Sequence, residues 1–258
     1  EALGRLPRPD SFSGSCATEG GGGGKRILIY SHSLPPWVDG VSTRFRAHIR
    51  MLKEEGHEVH LMTIEPQLCE SVQKHAASPA ALLDSTHLYW YPAKRFPDLT
   101  WKNLATVYGA CVRSRAQVMH VTMCPSLPLF FICSYLLNIP VVVSVHTDSV
   151  TLLGKCDCWW PVVRLVKMME PLGTWFADAT FTVSPSYAGI LMQRGIQCLD
   201  VTWGGYANPV VFNPERAIDE TTGKPTPWRE KLTFGHPDEF VLAYAGRVSP
   251  EKDIGFLV

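Results

Sequence analysis

The stretch Val241-Leu-Ala-Tyr-Ala-Gly-Arg-Val-Ser-Pro-Glu-Lys-Asp253 joins an apolar strand that ends in glycine to two cations and a helix start. A backbone can approach an anion closely at Gly246, and Arg247 and Lys252 supply positive charge. A helix opened by Asp253 adds its N-terminal dipole. Those residue types in that order suit a diphosphate.

Three further loops follow predicted strands, and ligands of parallel sheets bind at the C-terminal ends of strands. Residues 31 to 43 read Ser31-His-Ser-Leu-Pro-Pro-Trp-Val-Asp-Gly-Val-Ser-Thr43. Gly40 lets backbone amides meet a phosphate or sugar, Asp39 can accept from hydroxyls, and Ser42 or Thr43 can cap the helix that follows. The same residues are equally explained as a turn at Asp39-Gly40 and an N-cap at Ser42. The loop lacks G-x-G-x-x-G, which disfavours a nicotinamide or flavin cofactor. His146-Thr147-Asp148 stands at the tip of a β-branched strand and places three hydrogen-bonding groups at the crevice. A lone loop histidine is usually structural, but this position favours a functional one. In Val183-Ser-Pro-Ser186, capping of the next helix accounts fully for Ser184, with ligand contact as the other reading.

Short apolar runs alternate with amphipathic stretches from Arg26 onward, which predicts an α/β fold with a Rossmann-like, doubly wound parallel sheet. Strands are predicted at 27–30, 58–64, 118–121, 141–145, 179–183 and 199–203. Helices are predicted at 42–55, 104–115, 125–137 and 162–177. Phe45, Ile49 and Leu52 share one face of the first helix, and Gly56 suits a left-handed C-cap. Residues 65–100 form a polar excursion. The apolar stretch 123–145 is divided by Pro125, Pro128, Asn138 and Pro140, so it reads as a helix and a strand rather than a membrane span. The 162–177 helix carries Arg164, Lys167, Met168 and Met169 and is expected to kink or break at Pro171. It reads as a core helix with snorkelling basic side chains, the alternative being contact with an anionic membrane surface. Residues 213–238, rich in proline and charge, form a linker before a strand at Phe240.

The 258 residues are 46% hydrophobic, and 24 basic residues balance 24 acidic ones. Zero net charge removes the case for nucleic acid as a partner. Eight scattered cysteines, several in apolar runs, read as reduced thiols of a cytosol-like compartment, and Cys156-x-Cys158 cannot complete a zinc site by itself. Residues 1–24 read as a flexible Gly/Ser-rich segment with no secretory signal. Gly20 to Lys25 is no P-loop, since Arg26 stands where Ser or Thr would bind magnesium. The sequence holds neither G-x-S-x-G nor H-E-x-x-H, which leaves hydrolase and metalloenzyme readings without support.

Taken in order, Pro35-Pro-x-x-Asp-Gly-Val-Ser42, Gly56-His-Glu-Val59, Ser144-Val-His-Thr-Asp148, Thr182-Val-Ser-Pro-Ser186, Trp203-Gly-x-x-x-Asn208 with Phe212-Asn-Pro214, and Gly246-Arg-Val-x-x-Glu-Lys252 resemble the family 4 retaining glycosyltransferases of the GT-B fold. The resemblance is greatest to the branch of sulfoquinovosyl-diacylglycerol synthases and glycolipid mannosyl- and glucosyltransferases. It implies two Rossmann-like domains facing across a cleft: residues 25–212 as the acceptor-side domain, 213–238 as linker, and 239–258 as a stub of the nucleotide-sugar-binding domain. Arg247 and Lys252 would hold the donor diphosphate, Gly40 would close over it, and His146 would sit near the reacting sugar. Asp39, Thr147, Asp148 and Ser184 would meet acceptor or sugar.

The implied reaction moves a sugar from a nucleotide-sugar to a lipid or sugar acceptor with retention. It needs no metal or other cofactor, with peripheral membrane contact and a cytoplasmic or plastid-stroma location. Two departures stand out. Trp203-Gly-Gly-Tyr-Ala-Asn208 replaces the family's Trp-Gly-x-Gly-Val-Asp, and the paired glutamates that hold the donor would lie past Val258. The chain alone is therefore expected to be inactive. The alternative is a catalytically inactive domain, derived from such an enzyme, that binds an acceptor or a partner.

Overall fold

In a computed structural model, the alternation of apolar and amphipathic runs produces a parallel sheet wrapped by helices. Residues 23–37, 39–68, 70–87, 95–155, 158–196, 200–201, 233–236 and 240 are described. The chain divides into two compact units, Glu1–Gly204 and Gly205–Val258, and every helix and strand below lies in the first. Arg247, Lys252, Cys156 and the 203–214 motif lie outside the described residues, as do residues 1–22.

The elements run β1 (Arg26–Tyr30), α1 (Gly40–Glu54), β2 (Glu58–Thr63), α2 (Glu70–Gln73), β3 (Ala81–Leu82), β4 (Ser85–His87), β5 (Arg95–Pro97) and α3 (Trp101–Ser114). There follow β6 (Val118–Thr122), α4 (Leu127–Leu137), β7 (Val141–Val145), α5 (Ser149–Lys155), α6 (Trp160–Trp175), β8 (Ala179–Thr182), α7 (Pro185–Gln193) and β9 (Asp200–Val201). Seven strands form one sheet in the order β3-β2-β1-β6-β7-β8-β9, and every neighbouring pair is parallel. The chain winds outward from β1 in one direction and from β6 in the other. A topological switch point therefore lies between β1 and β6.

Two apolar layers cover the two faces. Side chains alternate along β1, so Leu28 and Tyr30 pack with α3, α4 and α7, while Ile29 packs against Phe45 and Ile49 of α1. Tyr30 and Phe130 bring their rings to 4.8 Å in the first layer. Phe45 and Ile49 are completely buried, which stabilises the fold by about 1.5–3 kcal/mol for each side chain. Local chemistry sets the helix ends. Thr100 caps α3 by accepting from the Asn103 N–H, Gly56 ends α1 at a φ of 83°, and Asn138 ends α4 in the left-handed region.

Three expectations change. The polar excursion 65–100 contains α2, β3 and a separate antiparallel pair, β4 with β5. These elements are too short for periodicity to show. Helix α6 runs through Pro171 without interruption, the proline removing one backbone hydrogen bond from the helix but not ending it. Nor is α6 a core helix. Its buried residues are Glu170 and Thr174, whereas Leu165, Met168, Met169, Leu172 and Trp175 are exposed. Among the described residues, no helix is long and apolar enough to cross a membrane. The strand expected from Phe240 onward lies, apart from Phe240 itself, outside the described residues.

Candidate functional site

The loops that follow β1, β6, β7 and β8 meet at the C-terminal edge of the sheet beside the switch point. In the first, Asp39 caps α1: one carboxylate oxygen accepts from the Ser42 N–H at 2.7 Å, and the other accepts from the Ser33 hydroxyl. Ser42 donates instead to the Trp37 carbonyl at 2.6 Å, so capping falls to Asp39 rather than to Ser42 or Thr43. Gly40 is the first helical residue and is exposed. A β-carbon there would meet nothing within 4 Å, and its φ is one that any residue adopts. Neither packing nor conformation requires glycine at this position.

His146 follows β7 directly and is half-buried. Its Nδ1 lies 3.2 Å from Nη1 of Arg44 on α1, its Nε2 lies 3.0 Å from the Ser144 hydroxyl, and its ring meets the Phe45 ring edge-on at 5.4 Å. Two further histidines complete the cluster, with the His48 and His120 rings 5.4 Å apart. Burial pushes the His48 imidazole down to about 4. Burial, reinforced by His48 and His146, holds His120 well below the usual histidine range. At neutral pH both are uncharged. Among the described residues, no three His, Cys, Asp or Glu side chains converge as a metal-binding set.

The next two residues have different surroundings. Thr147 is exposed, and its carbonyl accepts from the Tyr187 hydroxyl at 2.9 Å. Asp148 turns its carboxylate to Arg194, at 2.7 and 3.0 Å, and to the backbone and hydroxyl of Thr151. Burial opposes ionisation of Asp148, but the hydrogen bonds from Arg194 and Thr151 prevail and hold its carboxyl below the ordinary value. Glu170 behaves oppositely: burial raises it, and Arg194 offsets this only in part from 3.4 Å. Ser184 caps α7, its hydroxyl accepting from the Tyr187 N–H at 3.2 Å.

Between α4 and α6 opens a groove of about 1450 Å³. Phe131 and Leu136 of α4 face Leu165, Met169 and Leu172 of α6 across it. Gly173 permits the close approach, since a β-carbon there would lie 3.3 Å from the Leu127 side chain. The groove ends at the sheet edge on His32, Thr122, His146 and Thr147. A mostly apolar trough with a few polar groups is the general form of a small-molecule site.

Geometry thus joins His146 and Thr147 to the groove and Gly40 to the same sheet edge. Asp39, Asp148 and Ser184 are committed to caps and an ion pair. Arg44, His32, His120 and Thr122 were not singled out from sequence. Arg44 and His48 follow Gly40 at four-residue intervals, a spacing that puts all three on one face of α1 and was a legible signal.

Residues 39–201 match the model of the glycosyl transferase 4-like domain. The chain belongs to that glycosyltransferase family. It is 21% identical over 241 residues to the sulfoquinovosyl transferase SQD2 of Arabidopsis thaliana, covering 90% of this chain and 44% of that protein. The chain thus spans less than half the length of this curated relative. Sucrose-phosphate synthase from Thermosynechococcus elongatus superposes with a TM-score of 0.50 at 15% identity, over 74% of this chain and 50% of that one. MurG from Acinetobacter baumannii gives 0.41 at 11% identity, over 71% and 47%. The sheet of this glycosyltransferase domain is the Rossmann-like layer of the GT-B fold.

Proposed function

We propose that the chain forms the acceptor side of an enzyme that moves a sugar from a nucleotide-sugar to a lipid, with retention of configuration and without a metal. The groove between α4 and α6 carries the reading. Its walls are mostly apolar, as acyl chains require, with Glu170 and Asp178 among the lining, and a polar end stands at His32, Thr122, His146 and Thr147, where a headgroup hydroxyl would meet the sugar. The distant relative named for sulfoquinovosyl transfer supports sugar transfer.

Donor binding is assigned from two sources. Gly40 offers an exposed helix start with open space above it, and Arg247 and Lys252 have the charge a leaving diphosphate needs. Departure of that diphosphate leaves an oxocarbenium-like sugar, which the lipid hydroxyl attacks on the face that the diphosphate left, its proton passing to the departing diphosphate oxygen.

Membrane contact belongs to the same reading. Trp159, Trp160, Leu165, Met168 and Leu172 are exposed beside the groove, with Arg164 and Lys167 exposed on the same helix. An apolar helix face edged by cations suits the interface of an anionic bilayer, which would bring the groove mouth to its lipid.

The test is binding of a fluorescent diacylglycerol, presented in neutral detergent micelles, to the 258-residue chain. Saturable binding displaced by unlabelled diacylglycerol and not by free sugars is expected. Absence of saturable binding would sink the lipid assignment.

A further inference from the structure

His146 has both ring nitrogens engaged, and one of the partners cannot accept a proton. Arg44 lies 3.2 Å from Nδ1 through Nη1, and a guanidinium is donor only. Burial lowers the Arg44 pKa, yet arginine remains charged throughout the physiological range. Nδ1 must therefore be the acceptor, and the single proton of the neutral ring stands on Nε2, 3.0 Å from the Ser144 hydroxyl, to which it donates. The Phe45 ring edge fixes the plane of the imidazole.

We infer that Arg44 is a positioning residue that locks His146 in the neutral tautomer protonated at Nε2. At the polar end of the groove, His146 then offers a hydrogen-bond donor, shared between Ser144 and a substrate hydroxyl, and offers no base. The consequence for substrate rests on the acceptor reading above; the tautomer itself does not. Among the described residues, the titratable and charged groups around the ring include Arg44 and His48 from α1 and His120 from β6, with His32 lining the same groove. Of these, Arg44 is charged, and burial holds His48 and His120 neutral. Asp148, two residues on, is paired with Arg194.

Long-range proton–nitrogen correlation spectra of the chain labelled with ¹⁵N-histidine test this, with the His146 signals assigned by their loss in His146→Gln. The expected wild-type pattern is Nε2-protonated and unchanged from about pH 5.5 to about pH 8. In Arg44→Met the ring should gain a titration step within that range, and Arg44→Lys should restore the untitrating pattern. A ring protonated at Nδ1 or at both nitrogens in the wild type would overturn the inference, as would an Arg44→Met spectrum identical to wild type. If Arg44→Met loses its circular dichroism, the wild-type and Arg44→Lys spectra still decide. Loss of lipid binding with the tautomer intact would sink the acceptor reading alone.

Discussion

Arg194 holds Asp148 through both arms of its guanidinium, Nη1 to Oδ1 at 2.7 Å and Nη2 to Oδ2 at 3.0 Å, across 46 positions of sequence. The pair joins the end of α7 to the loop that carries His146 and Thr147, so the polar end of the groove is fixed by contacts made behind it. Both side chains are largely buried, at 13% and 22% exposure, and such a pair is costly to break from one side. Arg194→Leu should destabilise the fold by about 2–4 kcal/mol, measured by urea denaturation.

That pair also sets an acid limit. Because Asp148 is held below its ordinary carboxyl value in the fold, its contribution is full above the unfolded value, near 4, and is lost as pH falls through the folded one. Glu170 is raised, so its contribution is full at low pH and fades as pH rises through its folded value. Glu170→Gln should therefore leave neutral-pH stability unchanged or slightly higher. Arg194→Leu should flatten the loss of stability below about pH 4. Thermal melts across that range check both.

Much of this was legible in the sequence, for physical reasons. Val141-Val-Val-Ser-Val145 can be little other than a buried strand, and it forms over the residues expected. Phe45 and Ile49 announce the buried face of α1 by helical spacing. The Asp148 pair was not legible, because its partner is remote in sequence and the preceding histidine suggested a ligand instead. The groove was hidden for the opposite reason: the apolar residues of α6 have the composition of a core helix, and only three-dimensional packing shows them exposed. Capping by Asp39 rather than Ser42 turned on where α1 begins, and helix ends are the least readable feature of a pattern.

Gly40 permits a clean separation of fold from function. With open space around its missing β-carbon and an ordinary φ, Gly40→Ala should leave stability unchanged or raise it by up to about 1 kcal/mol. On the donor assignment proposed above, the same change should reduce sugar transfer, because a methyl group would stand where the donor diphosphate approaches. Melting temperature and transfer rate, measured on the same preparation, check the two halves.

The membrane assignment predicts a charge effect. Reversal of Arg164 and Lys167 to glutamate should weaken sedimentation with vesicles rich in phosphatidylglycerol by at least about five-fold per site, from about 1 kcal/mol for each basic residue near an anionic surface. Binding to neutral phosphatidylcholine vesicles should change little. Equal loss on both would assign these side chains to the fold instead.

The lipid groove is the central claim, and photo-crosslinking reads it most directly. A diacylglycerol bearing an acyl-chain diazirine, irradiated with the chain and mapped by peptide mass spectrometry, should label α4 and α6 near Leu136 and Leu172. Leu172→Arg, a change at an exposed position worth no more than about 0.5 kcal/mol of stability, should abolish that labelling. Labelling spread over the surface, or unchanged in Leu172→Arg, would contradict the account.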